Sequence, residues 1–178
     1  MTFLRPLPLL LLAIAALPLR ASAQADGALP TTQFVYSLYV TRHEATVRFA
    51  ELGTARASSK DVRKVAELLA KENRETGERI TKLAAKEGVT LSRPARDTTE
   101  ALLAHATRQL EGKSGAEFDS TFVMQAHAWL MTLAMDNGKN VLRPLPAGDL
   151  KRFGEAYGTF LFREMGETYK LKRKYEKK

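Results

Sequence analysis

Hydrophobic side chains recur every three or four residues along most of this chain, which is the spacing that one face of an α-helix produces. The clearest case lies between residues 58 and 88, where the apolar and charged positions fall on opposite faces. The positions of its apolar stripe are Val62, Ala66, Leu69, Asn73, Thr76, Ile80 and Leu83. A stripe of this kind packs against partner helices in a bundle. The pattern therefore predicts one long amphipathic helix.

The same spacing predicts three more long helices and one short helix. The first runs from about residue 32 to 57, a short one follows the loop at Pro94, and the last begins at Asp149. Residues 115–137 form the most apolar helix, which we expect in the middle of the bundle. No alternation typical of β-strands occurs. We predict an all-α protein, an antiparallel four-helix bundle with one extra short helix.

Three short sequence features, a helix start, a turn and a pair of helical glycines, add detail to this prediction. Ser58 and Asp61 have the spacing of a capping box at the start of the second helix. The dipeptide Asn137-Gly138 predicts a turn. In the last helix, Gly154 and Gly158 predict a face that another part of the chain approaches closely, since glycine costs up to about 1 kcal/mol in a helix interior.

Residues 1–23 have the features of a secretory signal peptide. Arg5 supplies the positive start, an apolar run follows, and Ala21-Ser22-Ala23 forms a cleavage site of small residues. The run is broken by two prolines and is shorter than the roughly 20 apolar residues that a membrane-spanning helix needs. We predict cleavage after Ala23 and a periplasmic protein, with an uncleaved anchor as the alternative.

Composition limits the chemistry that the chain can carry. The 178 residues include no cysteine, which excludes disulfides, thiolate metal sites, iron–sulfur clusters and cysteine nucleophiles. The charged share of 27% and the hydrophobic share of 44% are those of a folded domain rather than of a disordered chain.

The positive charge lies at the two ends of the chain. Lys and Arg number 28 against 20 Asp and Glu, a net charge of +8, and residues 24–169 carry 20 basic and 19 acidic side chains. Residues 170–178 form a basic tail that continues the last helix and contains Lys170, Lys172, Arg173, Lys174, Lys177 and Lys178. The tail complements the helix dipole and is a candidate contact for an anionic envelope surface. With a nearly neutral bundle, no nucleic-acid partner is expected.

Catalytic and metal-binding motifs are missing from the sequence. Di-iron sites in four-helix bundles use Glu-x-x-His, and none of His43, His105 and His127 lies three residues after a glutamate. No nucleophile elbow, phosphate loop or dinucleotide fingerprint occurs. His43 and Glu44 are adjacent and therefore point about 100° apart on a helix. We predict neither catalysis nor a cofactor.

Three polar residues interrupt the predicted apolar stripes. Asn73, His127 and Glu164 each lie among hydrophobic positions of a long helix. Buried polar groups cost about 1–3 kcal/mol when they are not hydrogen-bonded. If the three meet in one layer, they form a small polar or ligand site in the bundle centre. The alternative is that each is a separately hydrogen-bonded core residue.

Four stretches covering most of residues 44–166 carry a family resemblance: ELGTARASSKDVRKVAELLAKEN, KLAAKEGVTL, GAEFDSTFVMQAHAWL and DLKRFGEAYGTFLFREM. They resemble the exported bacterial family named domain of unknown function 4142, often labelled predicted outer membrane protein. The resemblance implies a ferritin-like helical bundle, export to the cell envelope and no established activity. Where members commonly carry Asp-His this chain has Glu72-Asn73, and other family histidines fall at Leu130 and Glu164. The resemblance thus implies an interior site whose position is kept and whose chemistry is changed.

Two functions are compatible with this pattern. The first is a non-enzymatic periplasmic module that binds a ligand or responds to envelope stress. The second is a metal-binding or redox bundle with a degenerate interior site, formed by Glu44, Glu72, His127 and Glu164.

Overall fold

The computed structural model describes residues 31–94 and 97–176, so the predicted signal peptide lies outside the described residues. The helices are α1 Thr32–Arg56, α2 Lys60–Lys86, α3 Thr99–Arg108, α4 Gly115–Asp136 and α5 Asp149–Glu176, with a π-helical segment Asn137–Leu142 between the last two. The described residues contain no strand. The prediction of an all-α bundle with one extra short helix is confirmed.

The four long helices form an antiparallel ring in the order α1, α2, α5, α4. Gly53 of α1 packs on Ala66 of α2, and His43 packs on Gly77, which fixes the antiparallel direction of that pair. The ring closes where the Trp129 indole of α4 donates to the Thr46 hydroxyl of α1 at 3.0 Å. Short α3 packs mainly on α1. None of the described helices is long and apolar enough to span a membrane.

The most apolar helix is not the most enclosed one, which corrects the expectation for residues 115–137. α4 leaves Met124, Met131 and Met135 exposed. α1 buries a stripe with alternating spacings of three and four that includes polar residues: Tyr36, Tyr39, His43, Thr46, Ala50 and Gly53. Polar residues of α1 therefore occupy interior positions that a purely hydrophobic pattern does not predict.

The start of α2 also differs from the predicted capping box. Ser59 is the N-cap residue, and its side chain makes no capping bond. Instead, Asp119 of α4 accepts bonds from the backbone N–H groups of Ser58 and Ser59, at 3.0 and 2.8 Å, and from the Ser58 hydroxyl at 2.5 Å. A buried carboxylate from a distant helix thus satisfies donors at this helix start.

The predicted turn at Asn137-Gly138 is wrong, because these residues begin the π-helical segment. The buried Asn137 side chain accepts from the Tyr39 hydroxyl at 2.7 Å and donates to the Gly154 carbonyl at 3.0 Å. A Cβ at Gly154 would meet Tyr39 and Leu142, and one at Gly158 would lie 3.3 Å from Asn137. The close-approach face predicted for these two glycines is therefore confirmed.

The basic C-terminal segment is part of α5, which ends at Glu176. Leu171 is buried there, between exposed or half-buried cations. Three of its lysines pair with carboxylates: Lys170 with Glu167, Lys172 with Glu176, and Lys174 with Asp61 of α2. Lys177 and Lys178 lie outside the described residues.

Candidate functional site

An imidazole–amide pair lies at the α1–α2 interface. Nδ1 of His43 is 2.8 Å from Oδ1 of Asn73, and both residues are only 1% exposed. The Asn73 amide nitrogen donates to the Leu69 carbonyl at 2.9 Å. Because that bond identifies the nitrogen of the amide, Oδ1 is the acceptor and His43 carries its proton on Nδ1.

The other ring nitrogen of His43 is therefore a free acceptor. Nε2 is buried and has no hydrogen-bond partner among the described residues. Burial lowers the pKa of His43 to about 4; the Asn73 bond opposes this effect, and the charges of Arg79 and Arg42 add to it. The imidazole is thus neutral at ordinary pH, with an unused lone pair on Nε2.

Close packing holds this ring in place. Gly77 of α2 faces it, where a Cβ would lie 3.2 Å from the His43 Cβ. On the α5 side, the Tyr157 ring meets the imidazole edge to face at 4.7 Å between centroids, and Phe153 lies at 6.3 Å. The Tyr157 hydroxyl is also buried without a partner in the described part of the chain.

A groove of about 610 Å³ between α1 and α2 includes this pair in its wall. Most of its lining is apolar, with contributions from Val40, Val47 and Gly77. Its rim carries charges of both signs, on Glu44, Arg48, Arg74, Glu78 and Lys82. The groove suits a ligand with an apolar body and a polar group that reaches His43.

Glu164, predicted as part of a polar layer, is buried and belongs to a different contact. Arg163 bonds to it at 3.1 and 3.2 Å and also pairs with Glu72 of α2. Burial is the main cause that raises the pKa of Glu164, followed by the hydrogen bond and the charge of Glu72, while Arg163 lowers it. The carboxyl groups of Glu72 and Glu164, which share Arg163, thus link α2 to α5.

His127 has its own partner as well. It is half-buried, and its Nδ1 lies 3.2 Å from the Thr168 hydroxyl of α5. Its ring is 5.7 Å from that of Tyr169. The side chains of Asn73, Glu164 and His127 thus have different hydrogen-bond partners. The Thr168 hydroxyl links two of these positions, because it also donates to the Glu164 backbone carbonyl at 3.1 Å.

Of the four residues of the metal hypothesis, Glu72 and Glu164 share Arg163, whereas Glu44 and His127 lie in other contacts. Glu44 is exposed on the groove rim, and Glu72 pairs with Arg163. Within residues 31–94 and 97–176, no group of three or more His, Asp or Glu side chains is placed to hold a metal ion. The described geometry therefore offers no observation in favour of a metal centre at Glu44, Glu72, His127 and Glu164.

Sequence reasoning missed His43 as the partner of Asn73. The available signal was the helical spacing along α1, in which His43 follows Tyr39 by four residues and precedes Thr46 by three. Such spacing places a histidine on an interior face.

A family model matches more than half of the chain. The family model described as Domain of unknown function (DUF4142) matches residues 16–136. No curated protein and no solved structure matches the chain. The matched part covers α1 to α4, including His43, Asn73 and the groove between them. Because the match extends over more than half of the sequence, this chain belongs to the family of domain of unknown function 4142.

Proposed function

We propose that this protein is an exported, periplasmic, ferritin-like bundle that binds a small molecule in the α1–α2 groove and catalyses no reaction. The ligand has an apolar body and one hydroxyl or N–H donor. The observation that carries the proposal is that His43, whose buried Nε2 is an acceptor with no partner among the described residues, is one of the residues that line an apolar groove.

The energetics favour a ligand that donates to this nitrogen. A buried polar atom without a hydrogen bond costs about 1–3 kcal/mol, which a ligand donor would recover. The volume of about 610 Å³ lies within the roughly 300–1,000 Å³ of small-molecule sites. The Nδ1–H bond to Asn73 keeps the lone pair on Nε2, so Asn73 acts as the positioning residue.

Export is supported by the signal-peptide features of residues 1–23. The same binding step serves a carrier or a sensor of envelope stress. Turnover of an envelope compound by the purified mature chain would contradict the non-enzymatic part of this proposal.

The fluorescent amine N-phenyl-1-naphthylamine tests the groove, because it combines two apolar ring systems with one N–H donor. We expect saturable binding of one molecule per mature chain. Val47→Trp, which fills the groove, lowers the affinity at least tenfold, whereas Leu68→Trp adds the same indole at an exposed site outside the groove and leaves it unchanged. The N-methyl analogue, which has no donor, binds about 2–10-fold more weakly.

Two results overturn the proposal. Absence of saturable probe binding, or equal binding by both tryptophan variants, removes the groove as the site. Equal affinity for the probe and its N-methyl analogue removes His43 as the recognising group.

We also propose that the basic end of α5 contacts an anionic envelope surface and that nucleic acid is not a partner. Phe162 and Tyr169 are exposed on the same helix and would add apolar contact. Residues 24–169 carry only one more basic than acidic side chain, which gives little attraction for nucleic acid.

A further inference from the structure

A second cavity, of about 430 Å³, lies between α1, the start of α3, α4 and the π-helical segment. Its deeper wall is formed by buried residues: Leu38, Arg42, Thr99, Leu133 and Val141. Thr98, Thr132 and Asn140 are exposed and form its mouth. None of these residues lines the α1–α2 groove.

Arg42 is the unusual member of this lining. Its side chain is 8% exposed, and Nη2 pairs with Asp136. Nε and Nη1 are buried and have no hydrogen-bond acceptor among the described residues. Because a guanidinium in a protein stays charged, these N–H groups are desolvated donors that require an acceptor.

The π-helical segment brings two further lining residues to the cavity. Asn140 donates to the Asp136 carboxylate at 2.5 Å, and Val141 packs against the cavity wall. A π-helical turn is rare and is often found at functional sites. This backbone feature is independent of the unsatisfied Arg42 donors and points to the same cavity.

The charges around the cavity limit what it accepts. Among the described residues that line the cavity, Arg42 contributes one positive charge and Asp97 and Asp136 contribute two negative charges, so these residues together repel a simple anion. Thr99 donates twice to one Asp97 oxygen, Oδ1, through its backbone N–H and its hydroxyl. A suitable ligand therefore carries an acceptor for Arg42 and a positive group for Asp97, next to an apolar part for Leu38, Leu102 and Val141.

We propose that this cavity binds a free amino acid with an apolar side chain as its zwitterion. The carboxylate accepts from Nε or Nη1 of Arg42, the ammonium group faces Asp97, and the side chain packs on the leucine and valine wall. Charge-assisted bonds of this kind are about twice as strong as neutral ones. The site is separate from the groove and does not depend on the function proposed for it.

Isothermal titration calorimetry of the mature full-length chain with three probes tests this site. L-leucine carries both charged groups, 4-methylpentanoate lacks the ammonium, and 3-methylbutylamine lacks the carboxylate. We expect saturable binding of L-leucine and at least tenfold weaker binding of each analogue. Arg42→Gln lowers the affinity for L-leucine at least tenfold, whereas Arg152→Gln, at an exposed arginine of α5 outside both the cavity and the groove, leaves it unchanged.

A second pair of variants covers the case in which Arg42→Gln fails to fold. Thr132→Trp blocks the mouth from an exposed position and abolishes L-leucine binding, whereas Ala128→Trp, one turn earlier on α4 and outside the cavity, preserves it. The proposal is overturned if L-leucine does not bind, if 4-methylpentanoate binds as tightly, or if Thr132→Trp has no effect. Each result is independent of naphthylamine binding in the groove.

Discussion

The ring of His43 and the side-chain amide of Asn73 form a hydrogen bond of 2.8 Å across the α1–α2 interface. This bond assigns the proton of the imidazole to Nδ1, because the Asn73 nitrogen is engaged by the Leu69 carbonyl. It leaves Nε2 as a buried acceptor without a partner among the described residues, on a residue that lines the groove. One nitrogen of the His43 ring thus joins α1 to α2, and the other is a candidate group for ligand recognition.

This burial predicts that acid destabilises the protein through His43. Its pKa is lowered to about 4 in the folded chain, against about 6.5 in the unfolded chain. Between pH 4 and pH 6.5 the unfolded state binds more protons than the folded state does. The contribution of neutral His43 to the free energy of unfolding is therefore complete above pH 6.5 and is lost as the pH falls toward 4. The loss amounts to about 3 kcal/mol, measurable by urea unfolding at pH 7 and pH 4.

The matched variant is His43→Gln, whose side chain stays neutral. Its unfolding free energy should change less than that of the wild type between pH 7 and pH 4. An identical pH dependence in both proteins would show that His43 does not titrate in this way.

Glu164 predicts the opposite pH dependence. Because its pKa is raised in the folded chain, its contribution is present at low pH and is lost as the pH rises through the folded value. Glu164→Gln should therefore gain stability relative to the wild type between pH 5 and pH 8 in urea melts. Glu167→Gln, at a half-exposed neighbouring turn, should show no such gain. A pH-independent difference for Glu164→Gln would refute this assignment.

Two adjacent leucines test which face of α2 is buried. Leu69 has no exposed surface, whereas Leu68 is 39% exposed. Leu69→Ala should lower the unfolding free energy by about 2–5 kcal/mol, because it creates a cavity in the core. Leu68→Ala should change it by no more than about 0.5 kcal/mol. Equal losses in chemical denaturation would mean that the helix is oriented differently.

Two glycines in helices should respond in opposite directions to alanine. A Cβ at Gly53 would collide with the Phe122 ring and lie 2.8 Å from the Ala66 Cβ, whereas nothing lies within 4 Å at Gly166. Gly53→Ala should cost about 1–3 kcal/mol through overpacking. Gly166→Ala should stabilise α5 by up to about 1 kcal/mol. Thermal melts of both variants check this, and a stable Gly53→Ala would contradict the close α1–α2 crossing.

The basic end of α5 is tested by vesicle flotation. Deletion of residues 170–178 would also remove buried Leu171, so charge reversal is the cleaner change. Arg173→Glu with Lys177→Glu and Lys178→Glu should reduce flotation with phosphatidylglycerol vesicles, since each cation contributes up to about 1 kcal/mol near such a surface. The matched control reverses three cations elsewhere: Arg108, Lys139 and Arg143. Equal flotation of both triple variants, or flotation with neutral vesicles, would argue against the contact.

The amino-acid sequence alone was sufficient for the helices and for the class of fold. Helical periodicity is a local property, and it located α1, α2, α4 and α5 to within a few residues. Sequence similarity likewise indicated the family. The interior position of Asn73 followed from its place on the α2 stripe, since that stripe faces inward whichever helix it meets.

The partners of these residues were decided by the tertiary structure. Which side chain meets Asn73, which carboxylate serves the start of α2, and how Asn137 is bonded all depend on residues 30 or more positions away, apart from the Asn137 bond to Gly154. Tertiary packing also decides that Nε and Nη1 of Arg42 are buried without an acceptor among the described residues. Local spacing determines the face of a helix on which a residue lies. The groups opposite that residue depend on how all the helices pack together, and this packing decides which buried polar groups are hydrogen-bonded and which are not.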